Sequence, residues 1–210
     1  LKEAVLNYIL LLGWSPKGER EIFTLPEMIE VFDESGIGKA PAIFDPAKLR
    51  YINAEYIRAM SEEAFFEKAE PYIDKTPCDK ALLAQVLHQR CELMSDIPEQ
   101  IDFIDEMPEY DLAMYTNKKM KTTAETAKEA LEAILPVLEA IPADGFTRDA
   151  VHAALFALIE EKGVKNGFML WPLRVAVSGK QFTPGGGIEL AAVLGKEKAV
   201  ARVKAAIQRL

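Results

Sequence analysis

The chain has 210 residues, 50% of them apolar and 28% charged, with 25 Lys and Arg against 33 Asp and Glu for a formal net charge of -8. This composition excludes a disordered or fibrous chain, and at this length roughly 70% of the unfolded surface can be buried without help from disulfides or metal. Two cysteines, Cys78 and Cys91, are too few for a disulfide framework or a structural zinc site, so the expected setting is reduced and cytoplasmic.

The predicted elements are helical almost throughout. Lys2 to Leu12 is an apolar helix closed by Gly13. The start at Leu1, with a helix under way by Lys2, reads as a domain cut from a longer protein. No segment reads as a signal peptide, and no apolar run approaches the roughly 20 residues of a membrane span. Lys17 to Phe23 is polar and turn-rich and fits a short extended pair. Thr24 and Glu27 make a capping box that opens a helix to about Phe32. Gly36, Gly38 and Pro41 then form a non-helical loop. Asp45 and Pro46 start the next helix, with Leu49, Ile52, Tyr56 and Ile57 on one stripe.

Ser61 caps a helix carrying Phe65, Phe66 and Ala69. Asp79 to Met94 follows as another helix, with Leu82, Leu83, Val86 and Leu87 inward, and then a short one from Ile97 to Ile104. Pro108 and Tyr110 mark a joint. Thr122 and Glu125 read as a second capping box ahead of a long helix to Ile141. Thr147 caps a helix stopped by Gly163, and Asn166 to Val177 is helical with a kink expected at Pro172. After a loop from Gly179 to Gly187, a helix from Ile188 is stopped by Gly195, and Lys196 to Arg209 closes the chain. The fold class is all-α.

Charge is unevenly placed. Ser61 to Asp111 holds 14 acids and 4 bases, whereas Lys162 to Leu210 holds nine bases against Glu189 and Glu197. A basic last quarter on an acidic chain suits an anionic partner at that end; two solvated helix faces give the same count. Catalytic signatures do not appear. His88 and His152 have no Cys or His at ligand spacing, and both cysteines read as packing residues. Pairs such as Glu62–Glu63 and Asp105–Glu106 read as solvated. Gly185 to Gly187 lacks the strand and lysine of a nucleotide cradle. The segment from Trp171 to Gly187 stands out, because it gathers Arg174, Thr183 and the backbone N–H groups of a helix start. That set suits phosphates and the edges of unpaired bases; a kink followed by a turn would also account for it.

A resemblance is carried by Leu6-Asn7-Tyr8, Leu11 to Ser15, Glu21 to Leu25, Pro41 to Asp45, and Asn53 with Tyr56-Ile57-Arg58. It continues through Pro172-Leu173-Arg174, Thr183-Pro184-Gly185 and Leu194 to Glu197. In this order and spacing the chain resembles the C-terminal half of bacterial-type glutamyl-tRNA synthetase, the class I family that joins glutamate to its tRNA with ATP. The resemblance implies the end of a stem-contact domain at 1–60 and two helical anticodon-binding domains at 61–112 and 113–210. It implies a chain without the HIGH-like and KMSKS-like motifs, unable to aminoacylate alone. No cofactor is expected here, since ATP and magnesium belong to the catalytic domain. The implied partners are the anticodon arm of tRNA-Glu and the N-terminal catalytic domain of the same protein, with no membrane and a monomeric state.

The same resemblance places the reader of the third anticodon base at Arg90, that of the first base at Arg174, and that of the middle base at Thr183 and Pro184. Arginine at Arg90 leans towards rejecting tRNA-Gln. Gly186 departs from the pattern, which has an apolar side chain against a base at that position. Lys196, Lys198, Arg202 and Lys204 are phosphate candidates by charge. The rival readings are an autonomous enzyme and a helical protein-interaction scaffold without RNA binding, the latter favoured by Gly186 and the charge of -8.

Overall fold

The computed structural model describes residues 1–39 and 41–210. Those residues form eleven α-helices joined by 3-10 turns, with isolated bridges at Trp14–Ile37 and Asn117–Thr122 and no β-strand among the described residues. The class is all-α.

Helices α1 (Lys2–Gly13), α2 (Leu25–Val31) and α3 (Pro46–Arg58) come first. The Asp45 carboxylate accepts from the N–H groups of Ala47 and Lys48, and Pro46 supplies a first turn that needs no donor. α1 and α3 meet through Ala4, Tyr8 and Ile52, and a second small cluster joins Trp14, Phe23 and Met28. The extended pair expected at Lys17 to Phe23 does not form. Buried Asn7 instead takes the hydrogen bonds that a strand partner would, donating Nδ2 to Glu21 O at 2.8 Å and accepting from Phe23 N at 2.8 Å. Gly36, expected in an open loop, ends a 3-10 turn capped by the Asp33 side chain.

The remainder comprises α4 (Glu62–Ile73), α5 (Lys80–His88), α6 (Ile97–Asp105), α7 (Ala124–Ala140), α8 (Arg148–Lys162), α9 (Asn166–Ser178), α10 (Gly187–Leu194) and α11 (Lys196–Arg209). The helix expected to run to Met94 stops at His88. The N–H groups of Arg90 and Cys91 both turn back to Leu87 O, so Cys91 enters the core and Arg90 leaves the helix on a turn. The second cap also differs. Thr123 and Thr126 form it, because Thr122 is buried with its hydroxyl donating to Tyr115 O at 2.7 Å.

One apolar core runs from Ile57 on α3 to Ala206 on α11, across the joint expected near Pro108 and Tyr110. α10 is apolar nearly all round, and packs against α9, α8, α11 and α5. His88 lies inside, its ring stacked on Phe65 at 4.6 Å and its Nε2 2.8 Å from Ile57 O. Burial pushes both cysteine thiols up to about 11, which keeps them protonated near neutrality.

Candidate nucleic-acid interface

α9 positions the first functional side chain. Arg174 lies one helical turn after Trp171, so its guanidinium settles over the indole, 4.4 Å from the ring centroid. α9 then ends at Gly179, whose φ of 62° gives the left-handed cap that favours glycine. Ser178 Oγ donates to Arg174 O at 2.6 Å and accepts from Lys180 N at 3.2 Å, fixing the exit of the chain.

The loop that follows is held from two sides. Arg174 Nη2 donates to Gln181 O at 2.7 Å, and Arg90 Nη1 donates to Thr183 O at 3.4 Å. Thr183 is buried and its hydroxyl donates to Gly185 O at 2.7 Å, which commits its hydrogen and leaves an oxygen lone pair as acceptor. A groove of about 220 Å³ lies between Gln89, Arg90, Arg148, Pro184, Gly186 and Glu189. A second, of about 310 Å³, is lined by Trp171, Arg174, Gly186, His152, Phe156 and Glu189, so Gly186 and Glu189 belong to both. The structure therefore brings Arg90, Arg174, Thr183, Pro184 and Gly186 to one place, although Arg90 and Arg174 are far apart in sequence.

Arg174 is held without a carboxylate. No ion pair to it exists among the described residues, and its Nε is buried with no hydrogen-bond partner. Burial first, and the like charge of Arg90 second, lower its guanidinium below the usual arginine value. An arginine so desolvated and so poorly paired is a donor set awaiting an acceptor.

The four cations of α11 are used differently. Lys196 Nζ donates to Glu139 O at 2.7 Å and Ile141 O at 2.6 Å, at the end of α7. Lys198 Nζ donates to Ile104 O at 2.9 Å. Arg202 donates to Val177 O at 2.6 Å and to Phe103 O at 2.7 Å, at the ends of α9 and α6. Lys204 pairs with the Glu139 carboxylate at 2.7 Å. Helix C-terminal carbonyls favour cations, and a phosphate would compete with these bonds. None of the four lines either groove.

Arg148, Gln89 and Glu189 also line the site and had no role in the sequence reading. Arg148 begins α8, some 58 positions after Arg90, and nothing in the pattern links the two. Trp171 could have been found from its i, i+3 spacing to Arg174. A separate groove of about 440 Å³ beside Phe65 and His88 is lined by Glu62, Glu63 and Glu67, the wrong sign for a phosphate backbone.

A family model described as "Anticodon binding domain" matches residues 57–207. The chain belongs to this anticodon-binding domain family. The anticodon-binding domain here is similar to glutamate–tRNA ligases and matches their C-terminal portion. It is 50% identical to that of Clostridium botulinum strain Eklund 17B and 51% identical to that of Clostridium tetani, in each case over the whole chain. It spans 44% and 43% of those relatives' lengths. A crystal structure of a glutamate tRNA ligase from Elizabethkingia meningosepticum, in complex with its amino acid, superposes with a TM-score of 0.76 at 25% identity, covering 100% of this chain and 41% of that one. A glutamate-tRNA synthetase from Elizabethkingia anophelis gives 0.77 at 25% identity, covering 99% and 41%. No helix among the described residues is long and apolar enough to cross a membrane.

Proposed function

We propose that this chain reads the anticodon arm of tRNA-Glu as the anticodon-binding portion of a glutamate–tRNA ligase. The observation that carries the reading is the half-buried, carboxylate-free Arg174 beside a loop whose remaining polar groups are held in fixed directions. Arg174 offers donors to acceptor atoms on the first base of the anticodon. Thr183, its hydrogen committed to Gly185, accepts from an N–H of the middle base while Pro184 packs against it. Arg90, held only by a long bond to Thr183 O, reaches the third base and disfavours tRNA-Gln. Base edges supply specificity, and contacts to the phosphate backbone supply salt-dependent affinity.

Adenylate formation and aminoacyl transfer fall outside this stretch, with ATP and magnesium held by the catalytic domain of the same protein. The 210-residue chain alone does not charge tRNA and acts as a monomer in the cytoplasm. Exposed apolar side chains in residues 1–60, among them Ile9, Ile29, Ile43 and Phe44, favour a protein contact on that side, which the proposal assigns to the catalytic domain.

Fluorescence anisotropy with an anticodon stem-loop tests the reading. The expected result is tighter binding of the glutamate loop than of a scrambled loop, affinity falling as salt rises, and loss of the preference on Arg174→Ala. Arg174→Lys is expected not to restore it, since a lysine lacks the planar fork. Equal affinity for both loops, or none for either, would overturn the proposal.

A further inference from the structure

Phe182 has no structural employment. Its side chain is 84% exposed, and between residue 73 and the C-terminus no other large apolar side chain is exposed. The loop around it behaves in the opposite way, burying Thr183, Pro184 and Gly185. Both neighbours of Phe182 are held by arginine: Arg174 binds the carbonyl of Gln181 on one side, and Arg90 binds that of Thr183 on the other. The ring is therefore an exposed aromatic on a backbone whose flanking carbonyls, those of Gln181 and Thr183, each accept from an arginine. Ordering it on binding costs little, because phenylalanine has two side-chain torsions and the backbone is already fixed. A flat, exposed aromatic face on a held backbone is the arrangement that takes an unpaired base by stacking.

Building on the anticodon reading above, we propose that Phe182 is the stacking platform for an unpaired base of the anticodon loop, placed between the residues that take the first and middle bases. A nucleobase covers the exposed ring, and stacking of this kind tolerates any base, so Phe182 adds affinity without setting sequence preference. Specificity stays with Arg174, Thr183 and Arg90.

The test uses the 210-residue chain, measuring affinity with unmodified anticodon stem-loops and stacking with loops carrying 2-aminopurine at the first or the middle anticodon position. The latter are read at saturating protein, because the probe replaces a base that Arg174 or Thr183 reads. Stacking on Phe182 quenches the probe at one of the two positions. Phe182→Ala is expected to lose that quenching and to weaken binding roughly tenfold, within the range for base–aromatic stacking. Phe182→Trp is expected to keep both, whereas Phe182→Leu, apolar but not aromatic, loses the quenching. The ratio of affinities for glutamate and scrambled loops is expected to stay constant across the series. Because the side chain is 84% exposed, all three variants are expected to fold, which circular dichroism verifies. Wild-type binding that Phe182→Ala leaves unchanged would overturn the stacking role alone. Failure of the wild type to prefer the glutamate loop would overturn the anticodon reading and the stacking role with it.

Discussion

Arg174 shows at the scale of one residue how a site differs from a core. Arg202 is also half-buried and also lowered by burial, yet it spends its guanidinium on the carbonyls of Val177, Phe103 and Ile104. Arg174 makes one such bond and leaves Nε unsatisfied. The difference separates a cation whose donors are spent within the fold from one with a donor left over, and charge in the sequence cannot make it. Gly186 is a second case. A Cβ there would come within 2.8 Å of a Glu189 carboxylate oxygen, which is the far end of a flexible side chain, and φ at Gly186 is an ordinary -80°. Gly186 is also the N-cap of α10, where leucine caps poorly, so Gly186→Leu is expected to cost about 1 kcal/mol of stability, with Glu189 swinging aside. The added side chain restores an apolar surface to both grooves, and glutamate-loop affinity is expected to rise severalfold in the anisotropy assay. Unchanged or weaker binding with an intact fold would show that no base sits against residue 186.

The scale of the element explains what α11 is for. Its basic face docks onto the carbonyl ends of α6, α7 and α9, so the last helix ties together three helices that end on one side of the core. Arg202→Met removes charged donors from buried carbonyls and is expected to destabilise the fold by about 1.5–3 kcal/mol. Lys204→Gln, losing one exposed ion pair to Glu139, is expected to cost under about 1 kcal/mol. Urea unfolding followed by circular dichroism separates the two. If instead Lys204→Gln flattens the salt dependence of stem-loop binding by roughly one phosphate contact, the side chain meets RNA. Local chemistry made most helices legible beforehand: Asp45-Pro46, Ser61, Thr147, Gly163 and Gly195 sit at the observed boundaries. Errors came where a buried neighbour overrode the local signal, as when Cys91 ended α5 early and Thr122 turned inward instead of capping. The proximity of Arg174 to the Thr183 loop was legible because both lie in one segment. Arg148 was not, because only tertiary packing brings the start of α8 to the turn after α5.

At the scale of the whole molecule, burial is unequal. The core from Ile57 to Ala206 holds many fully buried side chains, whereas residues 1–56 rest mainly on two small clusters and leave Ile9, Ile29 and Ile43 at 58%, 72% and 86% exposure. The joint between the two regions combines the apolar contact of Ile57 with polar bonds. Asn53 Nδ2 donates to Glu92 O at 2.6 Å, and the Arg50 guanidinium pairs with Glu92 and Asp96. Polar contacts of this sort, half-exposed, add little to cooperativity compared with shared apolar surface. Native-state hydrogen exchange is therefore expected to resolve two levels. Amides of α9 and α10 exchange only with global unfolding, while those of α1 and α2 open at a free energy several kcal/mol lower. Asn53→Ala, which removes the donor to the part-buried Glu92 carbonyl, is expected to lower the level of α1 further by about 1 kcal/mol and to leave α10 unchanged. Equal protection of α1 and α10 in the wild type would mean that the joint transmits the stability of the main core into residues 1–60.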